Sequence, residues 1–293
     1  MPATAAQTEL DPSPDVSVFA PDSIDGVVPG VRGQRAFPTR RGLRNADPFL
    51  MLDQIGPQRI DPSRVIDGKP HPHRGFETVS IILEGELDHV DSQGNRRPLR
   101  AGDVLFMHAG SGIVHGGDMR PDRTTGEFHE FQLWVNVSSD QKMAPPSVQH
   151  LEAGSVPVLA DAGVSVRVLS GEHRGTAAAV TTTTPTTILH TTMQSASRWA
   201  TGDFPAERVF VYVIRGSVKA GDAVAKATET LELNSGARGV ELRTGDGGAE
   251  LLLLAGRPLG EPIAFGGPFV MNTQAEIEQA FADYEAGTFG TMP

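Results

Sequence analysis

The chain contains no cysteine, which excludes disulfides, thiolate metal ligands and cysteine nucleophiles and leaves any metal chemistry to histidine and carboxylates. The same absence fits a reducing compartment. Aromatic residues are scarce, at 6% of the chain. No stretch approaches the roughly 18 consecutive apolar residues of a membrane span. The N-terminus has no basic segment followed by an apolar one, as a secretory leader would, so a cytoplasmic location without membrane association is expected. Blocks of lysine and arginine are missing too. With 25 basic and 36 acidic residues the formal net charge is -11, and direct nucleic-acid binding, which depends on neutralising phosphates, is not expected.

What the sequence does have is punctuation. Its 33 glycines and 22 prolines separate short Val/Ile/Leu runs, a pattern that reads as mostly β structure. A length of 293 residues suggests about two domains at roughly 100–200 residues each. Residues 1–25, rich in Pro, Asp, Ser and Ala, read as a disordered leader. A first domain over 26–148 ends at a linker containing Pro145-Pro146, a pair poorly suited to continuing a strand. A second domain over 149–293 repeats the strand rhythm, with Arg215-Gly216 standing where the first half has Glu84-Gly85. Near its end Thr273-Gln274-Ala275-Glu276 forms a capping box, and Ile277, Phe281 and Tyr284 follow at helical spacing, predicting a helix near 273–287.

The chemistry concentrates in His71-Pro72-His73-Arg74-Gly75-Phe76-Glu77. In an extended strand residues 71 and 73 share a face, and Glu77 joins them if the pleat stays regular. Two neutral imidazoles suit a transition metal, and a third ligand is available downstream at His115, after the Gly-rich turn Ala109-Gly110-Ser111-Gly112. His108 shares parity with Val104 and Phe106, so it faces a pocket or fills the core. His89 and His129 read as hydrogen-bonding or surface residues. Arg74 and Gln132 are candidates for a pocket lining with structural roles as the alternative. Beyond His150 at the domain boundary, the second half offers only His173 and His190, and no metal is expected there.

Several segments together resemble the pirin family: the His71–Val79 run, Leu83-Glu84-Gly85, His89-Val90-Asp91-Ser92, Ala109–His115, Phe131-Gln132-Leu133-Trp134-Val135-Asn136 and Gly267-Pro268-Phe269-Val270-Met271-Asn272-Thr273. The resemblance implies an all-β chain of two tandem cupin (double-stranded β-helix, jelly-roll) barrels, with a mononuclear metal in the first and none in the second. Carried over residue by residue, the family's three histidine ligands fall on His71, His73 and His115. The family's fourth ligand is a glutamate two residues after the third histidine, and here that position is Gly117. Glu77, Asp118 or water could fill the gap. Iron as Fe(II)/Fe(III) is the implied metal, with Mn, Ni, Co, Cu and Zn as alternatives. The implied activity is an iron-dependent dioxygenase of the quercetin 2,3-dioxygenase type, acting on quercetin-like flavonols or related small aromatic enols. Glu77 would be its base, or His108 if Glu77 is a ligand. The alternative reading is a non-enzymatic, redox-responsive regulator that binds a protein partner such as a transcription factor or metabolic enzyme.

Overall fold

A computed structural model describes residues 16–204, 208–233 and 239–293. In chain order the strands begin with β1 (Val16–Phe19), β2 (Asp22–Val28), β3 (Val31–Phe37), β4 (Phe49–Arg59), β5 (Ile66–His73) and β6 (Phe76–Glu84). Next come β7 (Glu86–Asp91), β8 (Arg96–Arg100), β9 (Val104–His108), β10 (Ile113–Arg120), β11 (Glu127–Asn136) and β12 (Ser147–Leu151). They continue with β13 (Val158–Asp161), β14 (Val164–Ser170), β15 (Glu172–His173), β16 (Thr176–Ala177), β17 (Thr186–Met193) and β18 (Arg198–Ala200). The last are β19 (Arg208–Ala220), β20 (Ala223–Lys226), β21 (Thr230–Leu233), β22 (Glu241–Gly256), β23 (Ala264–Gly266) and β24 (Phe269–Met271), followed by helix α1 (Gln274–Glu285). No described helix is long and apolar enough to cross a membrane.

The described chain divides into two compact units, and the division is not a single cut near residue 148. One unit comprises residues 21–156, 179–185 and 258–293; the other comprises 16–20, 157–178 and 186–257. Of the expected leader, residues 1–15 lie outside the described residues, whereas Val16–Phe19 and Asp22–Val28 form strands. The alternating Val16-Ser17-Val18-Phe19 pairs antiparallel with β21, so the chain's first strand completes the sheet of the second unit. Helix α1 belongs to the first unit, because its buried Ile277 and Ala280 pack with Val114, Phe269, Met271 and Phe289. Its capping box is present as expected. The Glu276 amide donates to Thr273 Oγ1 at 3.3 Å and the Thr273 amide donates to Glu276 Oε2 at 2.8 Å.

In the first unit a seven-stranded sheet, β12-β9-β6-β11-β4-β3-β2, accompanies a four-stranded sheet, β5-β10-β7-β8. Inward residues of both sheets line one cavity of about 690 Å³. The second unit holds a nine-stranded sheet built on β1-β21-β19-β22-β17-β14-β13, with β18 and β20 attached to β22 and β19, and the short pair β15-β16. Its strands close on an apolar core that includes Val211, Val213, Leu231, Leu251 and Leu253. There His173 stacks on Phe204, with ring centroids 5.9 Å apart, and His190 pairs with Glu250 at 2.8 Å.

Candidate metal centre

The His71-Pro72-His73 run lies at the end of β5, and antiparallel pairing sets His115 of β10 directly opposite His71. The three rings converge: centroids are 4.9 Å apart for His71 and His73, 4.4 Å for His71 and His115, and 5.0 Å for His73 and His115. One ligand nitrogen from each ring lies within 4.8 Å of the others. Backbone carbonyls orient two of the rings. His71 Nδ1 is 2.9 Å from the Lys69 oxygen, and His73 Nδ1 is 3.1 Å from the Pro268 oxygen. Donation from Nδ1–H in each case leaves Nε2 as the free lone pair, the tautomer a metal ligand requires.

Burial keeps the His73 and His115 rings neutral. Desolvation, with the neighbouring His71 as a smaller cause, lowers the His73 pKa to about 3. Desolvation, followed by His73, His71 and His89, holds His115 well below the ordinary histidine range. Among the described residues His115 Nε2 is buried without a hydrogen-bond partner, a costly state that coordination would relieve. Three converging imidazoles are a donor set that transition metals favour, so the residues present fit a metal.

The structure brings neither carboxylate proposed from sequence to these rings. The pleat that would carry Glu77 to the histidine face is broken at Arg74-Gly75: Gly75 has φ +84°, and an added Cβ there would lie 2.1 Å from the Val270 oxygen. Beyond that turn the chain enters β6 in the other sheet, where Thr78 and Ser80 line the cavity and Glu77 points the other way. Its carboxylate accepts the Thr183 amide at 2.7 Å. His108, paired across from it on β9, lies 3.2 Å from Thr183 Oγ1 through Nδ1. Neither Glu77 nor His108 lines the cavity. Burial raises the Glu77 pKa to about 7, against the opposing effect of the Thr183 hydrogen bonds.

Asp118 stays outside as well. A register shift does fall between His115 and Gly117. The extra residue falls on the β5 side, so parity along β10 is kept and Asp118 faces away from His115. It accepts from Arg120 Nη2 at 2.9 Å. Gly117 itself has φ +143°, and an added Cβ would lie 1.5 Å from the Asp88 oxygen. The strand path is therefore fitted to glycine at this position.

Other residues read from sequence resolve as follows. Arg74 is a clamp: its Nε donates to the Ser111 oxygen at 2.7 Å, and its Nη1 pairs with Asp283 of α1 at 2.8 Å. Gln132 lines the cavity and accepts from Ser80 Oγ at 2.7 Å. His129 is buried, with Nε2 2.8 Å from Gln54 Nε2. His89, read as hydrogen-bonding or at the surface, is hydrogen-bonded, with its Nε2 2.8 Å from Asp91 Oδ2, and it lines the cavity with its ring 5.5 Å from that of His115. A residue the sequence did not single out is Lys142, 1% exposed. Its Nζ donates to the Gly75 oxygen, Asn136 Oδ1 and the Val270 oxygen at 2.8, 2.9 and 3.2 Å, pinning the turn that follows His73.

A histidine cluster inside a jelly-roll sandwich, accompanied by a second β unit, defines a bicupin with a candidate metal centre. Comparison with known proteins agrees. The Pirin family matches residues 30–135, and the Pirin C-terminal cupin domain matches residues 188–290. Human pirin is 37% identical over 275 residues, 92% of this chain and 91% of the relative. A pirin-like protein of Arabidopsis thaliana is 40% identical over 253 residues, 83% of this chain and 80% of the relative. Among solved structures, a quercetin 2,3-dioxygenase from Acinetobacter baumannii is similar with a TM-score of 0.85 and 33% identity, covering 94% of this chain and 97% of that one. The chain belongs to the pirin family.

Proposed function

We propose that this chain is a metal-dependent dioxygenase of the quercetin 2,3-dioxygenase type, acting on flavonols or related aromatic enols. The observation that carries the reading is the convergence of three imidazoles on the wall of a substrate-sized cavity. The similar Acinetobacter baumannii protein is named for that activity. His71, His73 and His115 would hold the metal, iron in the first instance, with no carboxylate from Glu77 or Asp118. When bound, such a metal supplies Lewis acidity toward an enol oxygen and a route for electron density from an electron-rich ring to dioxygen.

The chain's own contribution is binding and orientation. Met51, Leu105, Trp134 and Phe265 give the cavity apolar walls, which suit a flat aromatic body and displace water from it. The indole of Trp134 stands edge-on to His73, with centroids 5.3 Å apart, so a ring stacked there lies beside the imidazoles. Glu77 and His108, bound to Thr183 outside the cavity, are too displaced to take a substrate proton.

The test is to purify the protein without chelator, quantify bound metals, load iron and follow dioxygen consumption with quercetin. Near-stoichiometric metal and quercetin-dependent oxygen uptake, both lost in His115→Ala, are expected. A chain that takes up no metal, or iron-loaded protein inert to quercetin and simpler enols alike, would overturn the reading.

A further inference from the structure

Along β11, Glu130, Gln132 and Trp134 alternate onto the cavity face, while Phe131, Leu133 and Val135 are fully buried on the other. Trp134 marks the histidine end of this row through its contact with His73. Glu130 lies four residues earlier, about 13 Å along the strand at roughly 3.3 Å per residue. It therefore marks the opposite end of the cavity. We propose that Glu130 is a specificity residue, recognising a hydroxyl at the end of an aromatic substrate remote from the three imidazoles. This proposal rests on the dioxygenase reading for the kind of ligand that enters.

Three observations support it. Glu130 is only 5% exposed, yet among the described residues its carboxyl has no hydrogen-bond or ion-pair partner. The polar neighbours on the same wall are committed: Arg35 pairs with Asp53 through two contacts of 2.7 and 2.6 Å, and Ser80 donates to Gln132. Across the two flanking strands Glu130 faces Ile55 and Ile82, which cannot pair with it.

The backbone is specialised at the same point. The register of β11 against β4 shifts between Phe128 and Glu130, and that against β6 shifts between His129 and Glu130. Such irregularities re-aim side chains next to binding sites. An unpaired carboxyl held between isoleucines is expensive unless something polar meets it. A phenolic hydroxyl, which both donates and accepts, satisfies either protonation state. Burial raises the Glu130 pKa to about 7, so near neutrality the protonated form is well populated and can also donate.

The experiment compares two ligands on the full, iron(II)-loaded chain without oxygen, following quenching of tryptophan fluorescence. Quercetin carries hydroxyls on its outer rings; 3-hydroxyflavone keeps the enol and its adjacent carbonyl but lacks them. Glu130→Ala should weaken quercetin about tenfold, the value of one hydrogen bond near 1.4 kcal/mol, and leave 3-hydroxyflavone unchanged. Glu130→Gln, which still donates and accepts, should keep most of the preference. Equal weakening of both ligands, no weakening of either, or failure of the parent chain to bind quercetin overturns the proposal. The two readings fail separately. Glu130-dependent preference without oxygen consumption leaves Glu130 standing and removes the dioxygenase, whereas turnover with an unchanged preference in Glu130→Ala does the reverse.

Discussion

A glutamate at position 117 would supply the carboxylate found at the family's fourth ligand position, but its Cβ would fall 1.5 Å from the Asp88 carbonyl oxygen. The backbone there has φ +143°, a conformation that residues bearing a Cβ rarely adopt, at a cost of order 1–3 kcal/mol. Relieving the overlap requires β7 and β10 to separate, and overpacking of this kind costs about 1–3 kcal/mol. Gly117→Glu is therefore expected to destabilise the first unit by about 2–6 kcal/mol. Gly117→Ala carries the same Cβ without the carboxylate and should lose a similar amount. The assay is urea unfolding of metal-free protein, read from Trp134 fluorescence in a Trp199→Phe background. Trp134 and Trp199 are the only two tryptophans, and they lie in separate units. Chelator competition then measures iron retention in the same variants. If Gly117→Glu unfolds at the parent's urea concentration and holds iron longer, the strand path adapts freely and the reasoning fails.

Other expectations follow from the same geometry. His71→Ala and His73→Ala should each cut bound metal well below one per chain while leaving the far-ultraviolet circular dichroism spectrum unchanged, because each removes one of the three candidate ligands gathered among the described residues. The Glu130 carboxyl, raised from an ordinary 4.5 to about 7 by burial, holds a proton in the folded state between those pH values that the unfolded chain has lost. Its stabilising effect is complete below pH 4.5 and is lost as pH rises through 7, so Glu130→Gln should gain up to about 3 kcal/mol over the parent at pH 8 and almost nothing at pH 4.5. Urea titrations at the two pH values check this. Lys142→Met strands three buried acceptors and should cost about 2–5 kcal/mol. It should also weaken iron retention, since the Gly75 turn that it frees follows directly on His73.

Much of the candidate site's geometry was legible because it depends on short-range rules. His71 and His73 are two residues apart on one strand, so parity alone places them together, and the Gly-rich turn before His115 announces a returning strand. Glu77 shows where that rule stops. Parity counts only along an unbroken strand, and Arg74-Gly75 resets it before β6 begins. Asp118 shows the complementary case. A register shift exists beside it, but its position on the partner strand leaves Asp118 facing outward. Nothing local in the sequence reveals which of two paired strands carries the extra residue.

The division into units rests on contacts between distant segments. The capping box and spacing of α1 are local and were readable, whereas its packing against Val114 and Phe269 is a tertiary fact. Val16–Phe19 likewise looks like part of a polar leader until β21, more than 200 residues later, offers it a sheet edge. Glu130 was readable in principle. The stretch Glu130-Phe131-Gln132-Leu133-Trp134-Val135 alternates strictly, so once Trp134 is placed beside His73, Glu130 must share its face. A carboxylate at an inward position of a β11-type strand breaks the expected apolar pattern, and such a break is informative because the fold gains nothing from it. Its compensation must come from outside the chain, and the cavity supplies the place where that can happen.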